Sequence, residues 1–143
     1  QGMGPKSLEA LLKLPIQAIE FGAFGGTNFS RLESLRYNLD NCKDVLSGVG
    51  HSAREMLAHI NDSQSRLKHS LKCRELIISG GIKNFLDGYE LTQKSHLPAV
   101  YAQASAFLKH ARGDYDQLKN YIESQIEGLR MAKAYLEIKS SEE

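Results

Sequence analysis

The sequence is poor in the residue types that often reveal a function directly. It has no tryptophan, three prolines and two cysteines in 143 residues. Cys42 and Cys73 lie far apart, with no second pair and no histidine at zinc-finger spacing, so they indicate neither a redox motif nor a structural zinc site. Cys73 falls in an apolar run and is expected to be buried, whereas Cys42 falls in a polar connection and is expected to be exposed. The histidines form no HExxH or other ligand pattern, and we predict no metal-binding or catalytic residue within this chain.

An excess of charge and a long apolar run are also absent. The net charge is +1, and no basic patch with interleaved aromatic residues occurs, so the composition does not favour nucleic acid or a lipid surface as a partner. No apolar run approaches the roughly 20 residues of a membrane-spanning helix. The first residues lack the pattern of a signal peptide. We therefore expect a cytoplasmic protein that binds neither nucleic acid nor a membrane.

What the sequence does contain is a regular alternation of strand and helix patterns. Its length allows one domain, and 41% hydrophobic with 24% charged residues is typical of a globular α/β protein. Apolar runs at 16–21, 71–79 and 97–102 predict strands, and each leads into a turn rich in glycine or small residues. Since strands that alternate with helices pair in parallel, we expect these turns at one edge of one sheet. The continuous run 76–78 predicts a strand buried on both faces.

Helix signals occupy most of the remaining chain. Ser7 is predicted to cap a helix that ends near Leu14, and Ser52 with Glu55 forms a capping box for a helix over 53–67. A further helix is expected to start directly on Gly80-Gly81, with its N-terminus turned toward an anion and Lys83 in its first turn. A short helix over 105–110 and a long helix capped by Asp114, which should cover the sheet, complete the pattern. The polar stretch 30–50 is interpreted as a connection that is functional, mobile or partly helical, either a lid or a variable insertion.

The turn at 22–29, GAFGGTNF, is a candidate phosphate-binding loop. Glycine lets backbone N–H groups approach an anion closely, although an isolated Gly-Gly also serves as a plain connection. Ligands of parallel sheets bind at the carboxyl ends of the strands. In (β/α)8 barrels the loops after the final two strands and a short extra helix often bind phosphate. Three strands cannot close such a barrel of about 250 residues, so this layout predicts the C-terminal part of one.

Three segments together carry a resemblance to a known family. GAFGGTNF at 22–29, ISGGIKNFLDG at 78–88 and YAQASAFLKHARGDY at 101–115 resemble the C-terminal portion of type 2 isopentenyl diphosphate isomerases, the flavin-dependent class. The resemblance runs along essentially the whole chain. It implies that residues 1–143 are the C-terminal portion of one FMN-binding TIM-barrel domain. It further implies interconversion of isopentenyl and dimethylallyl diphosphate through reduced FMN, with NADPH as reductant and Mg²⁺ on the substrate.

The resemblance also assigns roles to individual positions. Thr27 would form a hydrogen bond with FMN. The phosphate of FMN would be held by the backbone of a second set of residues, namely Gly80, Gly81, Ile82, Gln103 and Ala104. The family's metal ligand, flavin-ring lysine and substrate-binding residues are expected upstream of Gln1, so this chain alone is expected to be inactive. The implied partner is a small diphosphate substrate, and we expect the complete enzyme to be a homo-oligomer.

The chain departs from the family pattern at several positions. Gly22 stands where many members carry a hydroxyl side chain, Lys83 stands where arginine is frequent, and Gln103-Ala104 replaces a pair that usually contains glycine. Two other interpretations therefore stay open. One is a different FMN-dependent barrel oxidoreductase, and the other is a non-enzymatic α/β module that binds phosphate or a nucleotide.

Overall fold

Helices and strands alternate along the chain in the computed structural model, which describes residues 1–37 and 45–139. The elements, in chain order, are α1 Pro5–Leu12, β1 Ala18–Glu20, α2 Phe29–Tyr37, α3 Ala53–Leu67, β2 Glu75–Ile78, α4 Phe85–Lys94, β3 Ala99–Tyr101, α5 Ser105–Ala111 and α6 Tyr115–Tyr135. A single 3₁₀ turn, Lys68–Ser70, follows α3. The predicted order of elements is confirmed, and α2 shows that the described part of the 30–50 connection is partly helical.

The three strands form an open parallel sheet in the order β1-β2-β3. Leu76 in the central strand is level with Ile19 on one side and Ala99 on the other. The predicted α/β class and the parallel pairing are thus confirmed, and closure into a barrel stays a prediction. The strands are shorter than the apolar runs, because the ends of each run lead into loops.

The core lies on one face of this sheet. Leu76 and Ile78 of β2 are 1% and 0% exposed. They pack with apolar side chains of the first, third and fourth helices, including Leu8, Leu12, Met56, Leu57, Ile60 and Leu91. On the opposite face, Ile77 is half-buried and Val100, its neighbour in register, is 62% exposed. The prediction that β2 is buried on both faces is therefore wrong, because the core cluster covers only one.

Two of the predicted helix caps are confirmed. The hydroxyl oxygen of Ser52 accepts from the N–H of Glu55, and the Glu55 carboxylate accepts from the N–H of Ser52 at 2.7 Å, which completes the capping box. The Ser52 hydroxyl also donates to the same carboxylate at 2.7 Å, and the hydrogen bonds from the Ser52 N–H and hydroxyl lower the pKa of Glu55. At the start of α6, the Asp114 carboxylate accepts from the N–H of Gln117 at 2.8 Å. Local polar contacts fix where both helices begin.

Two other helix starts differ from the prediction. The first helix begins at Pro5 with Gly4 as its N-cap and ends at Leu12, so Ser7 lies inside the helix and does not cap it. Proline suits the first helical position because it has a fixed φ and no N–H to satisfy. The fourth helix does not start on the glycine turn, because the Asn84 side chain accepts from the N–H groups two and three residues on and starts the helix at Phe85.

The last helix packs on other helices. Contrary to the prediction, α6 packs mainly against α4 and α5 rather than on the sheet. Its Gln125 side chain accepts a hydrogen bond from the N–H of Phe85 at 3.0 Å, which ties α6 to the start of α4. Cys73 is fully buried, as predicted. The prediction for Cys42 lies outside the described residues.

Candidate functional site

A cavity of about 410 Å³ opens at the carboxyl ends of the three strands. Every residue predicted to bind the cofactor lines it, namely Thr27, Gly80, Gly81, Ile82, Gln103 and Ala104. The structure thus brings three turns together that lie up to 77 positions apart in sequence (27 to 104). Sequence reasoning did not assign Gln1, Glu20, Phe29 and Ser79, which line the same cavity.

The turn after β2 lines this cavity, and its backbone N–H groups are the candidate donors. Gly80 and Gly81 have φ values of +88° and +75°, in the left-handed region that favours glycine. Within residues 1–37 and 45–139, the N–H groups of Gly80, Gly81 and Ile82 have no protein acceptor, and neither do those of Gln103 and Ala104. Backbone N–H groups in such a position need water or a ligand as acceptor. The cavity therefore offers a set of neutral donors that suits an anion.

The start of α5 adds to these donors. Ala104 occupies the N-cap position and supplies no side-chain cap, so the first N–H groups of α5 are left for other acceptors. The positive end of the helix dipole also favours an anion there. At the start of α4, by contrast, Asn84 already accepts from the first free N–H groups. These N–H groups at the start of α4 are therefore not available to the anion expected there.

Lys83 does not contribute to the cavity in the way the sequence suggested. It precedes α4 instead of lying in its first turn, and it is not among the lining residues. Its backbone N–H donates to the Asp87 carboxylate at 3.0 Å. The cation predicted beside the anion is therefore absent from the described cavity lining.

Two linked hydrogen bonds join the ends of the first two strands where they line the cavity. The N–H of Gly22 donates to the Ser79 hydroxyl at 3.0 Å, and this hydroxyl donates to the Glu20 carboxylate at 3.1 Å. Ser79 is 8% exposed. Glu20 is the one acidic residue among the described residues that line the cavity. These two hydrogen bonds fix the end of β1 against the end of β2. The Glu20 carboxylate is available to a ligand group that donates a hydrogen bond.

The first loop, which is the turn at 22–29, carries one candidate hydroxyl, on Thr27, and one amide, on Asn28, that is already hydrogen-bonded. In the described ranges, the Thr27 hydroxyl has no hydrogen-bond partner, and the residue is exposed. The Asn28 amide, by contrast, donates to the carbonyl of Ser47 at 2.6 Å and accepts from the N–H of Arg31 at 3.0 Å. Thr27 is thus available to a ligand, and Asn28 holds the start of α2.

Aromatic contacts hold α5 in place beside the cavity. The His110 ring stacks on Tyr121 of α6 with centroids 4.1 Å apart, and Phe107 meets the same ring edge-on at 5.3 Å. Tyr101, which lies just before the third turn, has a pKa raised mainly by burial. This packing sets the position of α5 and hence of the free N–H groups at its start.

The described part of the chain offers neither a metal site nor a helix that could span a membrane. Residues 1–37 and 45–139 contain no group of three or more His, Cys, Asp or Glu side chains that would suit a metal ion. None of the helices in these ranges is both long enough and apolar enough to cross a membrane.

Comparison with known proteins gives a relative along the whole chain. No protein-family profile matches the sequence. The chain is similar to a curated protein of Bacillus licheniformis named isopentenyl-diphosphate delta-isomerase, with 33% identity over 145 aligned positions. The alignment covers 99% of this chain and 38% of the relative. The chain thus spans well under half the length of the curated relative it matches, and the similarity includes all three turns of the cavity.

Proposed function

We propose that this chain forms the FMN phosphate-binding side of an isomerase that interconverts isopentenyl and dimethylallyl diphosphate. The observation that carries the proposal is that Gly80 to Ile82, Gln103 and Ala104 line one cavity and that their N–H groups have no acceptor among the described residues. Its support on the functional side is the similarity to a protein named isopentenyl-diphosphate delta-isomerase. The resemblance of the same turns to type 2 isomerases supplies the choice of FMN.

The residues present fit the phosphate of FMN. Neutral N–H donors at a glycine turn and at the start of α5 suit a phosphate dianion. The Thr27 hydroxyl, free in the described ranges, would donate to a polar atom of the same cofactor. Phe29, which is 74% exposed and lines the cavity, offers an apolar surface to the flavin ring or the substrate. Reduced FMN, kept reduced by NADPH, would supply the acid and base for the 1,3-proton shift.

The role of this chain is then binding and orientation. Its donors would fix the phosphate end of the cofactor, and the Glu20–Ser79 hydrogen bond would keep the two neighbouring loops in register. No residue of this chain is proposed to transfer a proton. We assign the metal-binding and substrate-binding residues, with the Mg²⁺ that neutralises the diphosphate, to the part of a complete enzyme upstream of Gln1.

The same proposal accounts for the open sheet. Both β1 and β3 have one unpaired edge in the described sheet, and Val100 is exposed on its uncovered face. Further strands of a (β/α)8 barrel would pair with these edges, and inner side chains of that barrel would cover Val100. We therefore propose that residues 1–143 belong to the C-terminal part of one barrel domain in a homo-oligomeric, cytoplasmic enzyme.

An anaerobic assay of the complete protein tests this function. Protein supplied with FMN and reduced by NADPH should convert isopentenyl diphosphate to dimethylallyl diphosphate, detected by chromatography of the products. Turnover should need reduced FMN but consume no net NADPH. Stoichiometric oxidation of NADPH with a different organic substrate would instead indicate a barrel oxidoreductase. A folded complete protein that binds no FMN would refute the flavin proposal and favour a non-enzymatic module.

A further inference from the structure

We infer that the first loop acts as a positioning surface for the anion-binding turn, through contacts of Gly25 and Gly26 with Gly80 and Gly81. This inference rests on the proposed function, because it concerns how the N–H groups for the FMN phosphate are oriented. Gly25 and Gly26 are positioning residues in this proposal, since they act through the neighbouring turn.

The two loops continue the pairing of the strands that lead into them. Beyond the end of β1, the N–H of Phe21 donates to the Ile77 carbonyl at 3.0 Å, and the N–H of Ala23 donates to the Ser79 carbonyl at 3.0 Å. The Gly22 N–H bonds the Ser79 hydroxyl. The loops therefore leave the sheet side by side and in fixed register.

Past this pairing, backbone packs directly on backbone. A Cβ atom added at Gly26 would lie 3.3 Å from the Cα of Gly80, and one added at Gly25 would lie 2.9 Å from the Cα of Gly81. In the reverse direction, a Cβ on Gly80 would lie 2.2 Å from the carbonyl oxygen of Ala23. A Cβ at Gly25 or Gly80 would overlap the facing backbone and one at Gly26 would press against it, so the position of one loop constrains the position of the other.

Hydrogen bonds to His51 and Gln1 also fix the first loop, which limits its movement away from Gly80 and Gly81. The N–H of Phe24 donates to the His51 carbonyl at 2.8 Å, and the N–H of Gly25 donates to the Gln1 side-chain oxygen at 3.3 Å. The N–H of Gly26 donates back to the Ala23 carbonyl at 3.3 Å. A methyl group added at Gly26 is therefore expected to displace Gly80 by a few tenths of an ångström, rather than the anchored loop.

Gly26→Ala is the appropriate substitution, and Gly48→Ala is its matched control. Gly26 does not have the positive φ of Gly25, so alanine introduces a contact there without backbone strain. A Cβ at Gly48 would also meet a backbone atom at 3.3 Å, the carbonyl oxygen of Val45, but away from the cavity lining. The two substitutions thus add the same group at the same closeness in different places.

The experiment compares FMN with riboflavin, which lacks the phosphate. We expect Gly26→Ala to weaken FMN binding to the complete protein about tenfold, the loss of roughly one charge-assisted hydrogen bond, in a flavin fluorescence titration. Riboflavin binding should stay within about twofold of wild type, since it does not use the phosphate donors. Gly48→Ala should change neither affinity. The amide NMR shifts of Gly80 and Gly81 should move in the ligand-free Gly26→Ala protein and not in the control.

Each other outcome contradicts the inference in a recognisable way. Equal losses for FMN and riboflavin would show a general structural defect, and an unchanged FMN affinity would show that the contact does not position the donors. An unfolded Gly26→Ala protein would show that the contact serves the fold instead. A wild-type protein that binds FMN no more tightly than riboflavin would overturn the proposed phosphate site itself, and the inference with it.

Discussion

Replacing Ser79 by alanine should destabilise the protein, because this one hydroxyl joins the ends of two strands. It accepts from the Gly22 N–H at 3.0 Å and donates to the Glu20 carboxylate at 3.1 Å, and the residue is 8% exposed. The substitution removes both hydrogen bonds and leaves the Gly22 N–H without its acceptor. The backbone is unaffected, since alanine adopts the conformations that serine does.

The size of the effect follows from the two bonds. A neutral hydrogen bond contributes about 1 kcal/mol, and the bond to the carboxylate contributes about the same after allowance for the exposure of Glu20 to solvent. We therefore expect a loss of about 2 kcal/mol in the free energy of unfolding. For a domain of this size that corresponds to a fall in Tm of about 6 °C.

Urea unfolding followed by circular dichroism measures this loss, and a double-mutant cycle with Glu20→Ala isolates the serine–carboxylate bond. The coupling between the two substitutions should be about 1 kcal/mol. Ser7→Ala is the control, since Ser7 is exposed, lies within α1 and has a hydroxyl with no hydrogen-bond partner among the described residues. A Ser79→Ala protein as stable as wild type, or strictly additive effects in the cycle, would refute the bridging role.

Three further substitutions test the cavity and the electrostatics of the helix layer. Thr27→Val should weaken FMN binding about tenfold in a fluorescence titration without a change in Tm, because valine lacks the hydroxyl but has the shape of threonine. An unchanged FMN affinity would contradict the proposed hydrogen bond from Thr27. Phe29→Ala should weaken FMN and riboflavin binding equally, since its ring would contact the part they share; a loss confined to FMN would exclude that contact. The pKa of Glu90 is lowered to about 2, chiefly by its hydrogen bond from Arg54. The stability that this ion pair contributes is present above pH 4.5 and is lost as the pH falls toward 2. Glu90→Gln should therefore lower the free energy of unfolding in urea by about 1 kcal/mol at pH 7 and by less at pH 3. An equal loss at both pH values would contradict the ion pair.

Features set by neighbours in sequence were predictable, and features set by the register between strands were not. The capping pairs Ser52–Glu55 and Asp114–Gln117 each join residues three positions apart, so the spacing alone indicates the contact. The Glu20–Ser79 bond joins residues 59 positions apart and exists because β1 and β2 pair in one particular register. No local pattern in the sequence marks a contact of this kind.

The errors at helix starts have a common physical cause. The residue at which each helix begins depends on backbone φ values that the sequence pattern does not show. At α1, Pro5 takes the first helical position and Ser7 is left inside the helix. At α4, the positive φ values of Gly80 and Gly81 continue the turn, and the helix begins only after the extended residue Asn84.

The departures from the family pattern leave the proposed phosphate donors unchanged. Because the proposed phosphate donors are N–H groups, a change of side chain at 103 or 104 leaves them in place. Gln103 also adds a contact, since its side-chain nitrogen donates to the Ile82 carbonyl at 3.4 Å and joins the two donor turns. Lys83 does not line the cavity, so the exchange of arginine for lysine there removes no donor from it. Among the proposed donor positions, glycine itself is required only at 80 and 81, because both residues have positive φ values. The proposed donor set therefore depends on these two glycines rather than on the side chains at 83, 103 and 104.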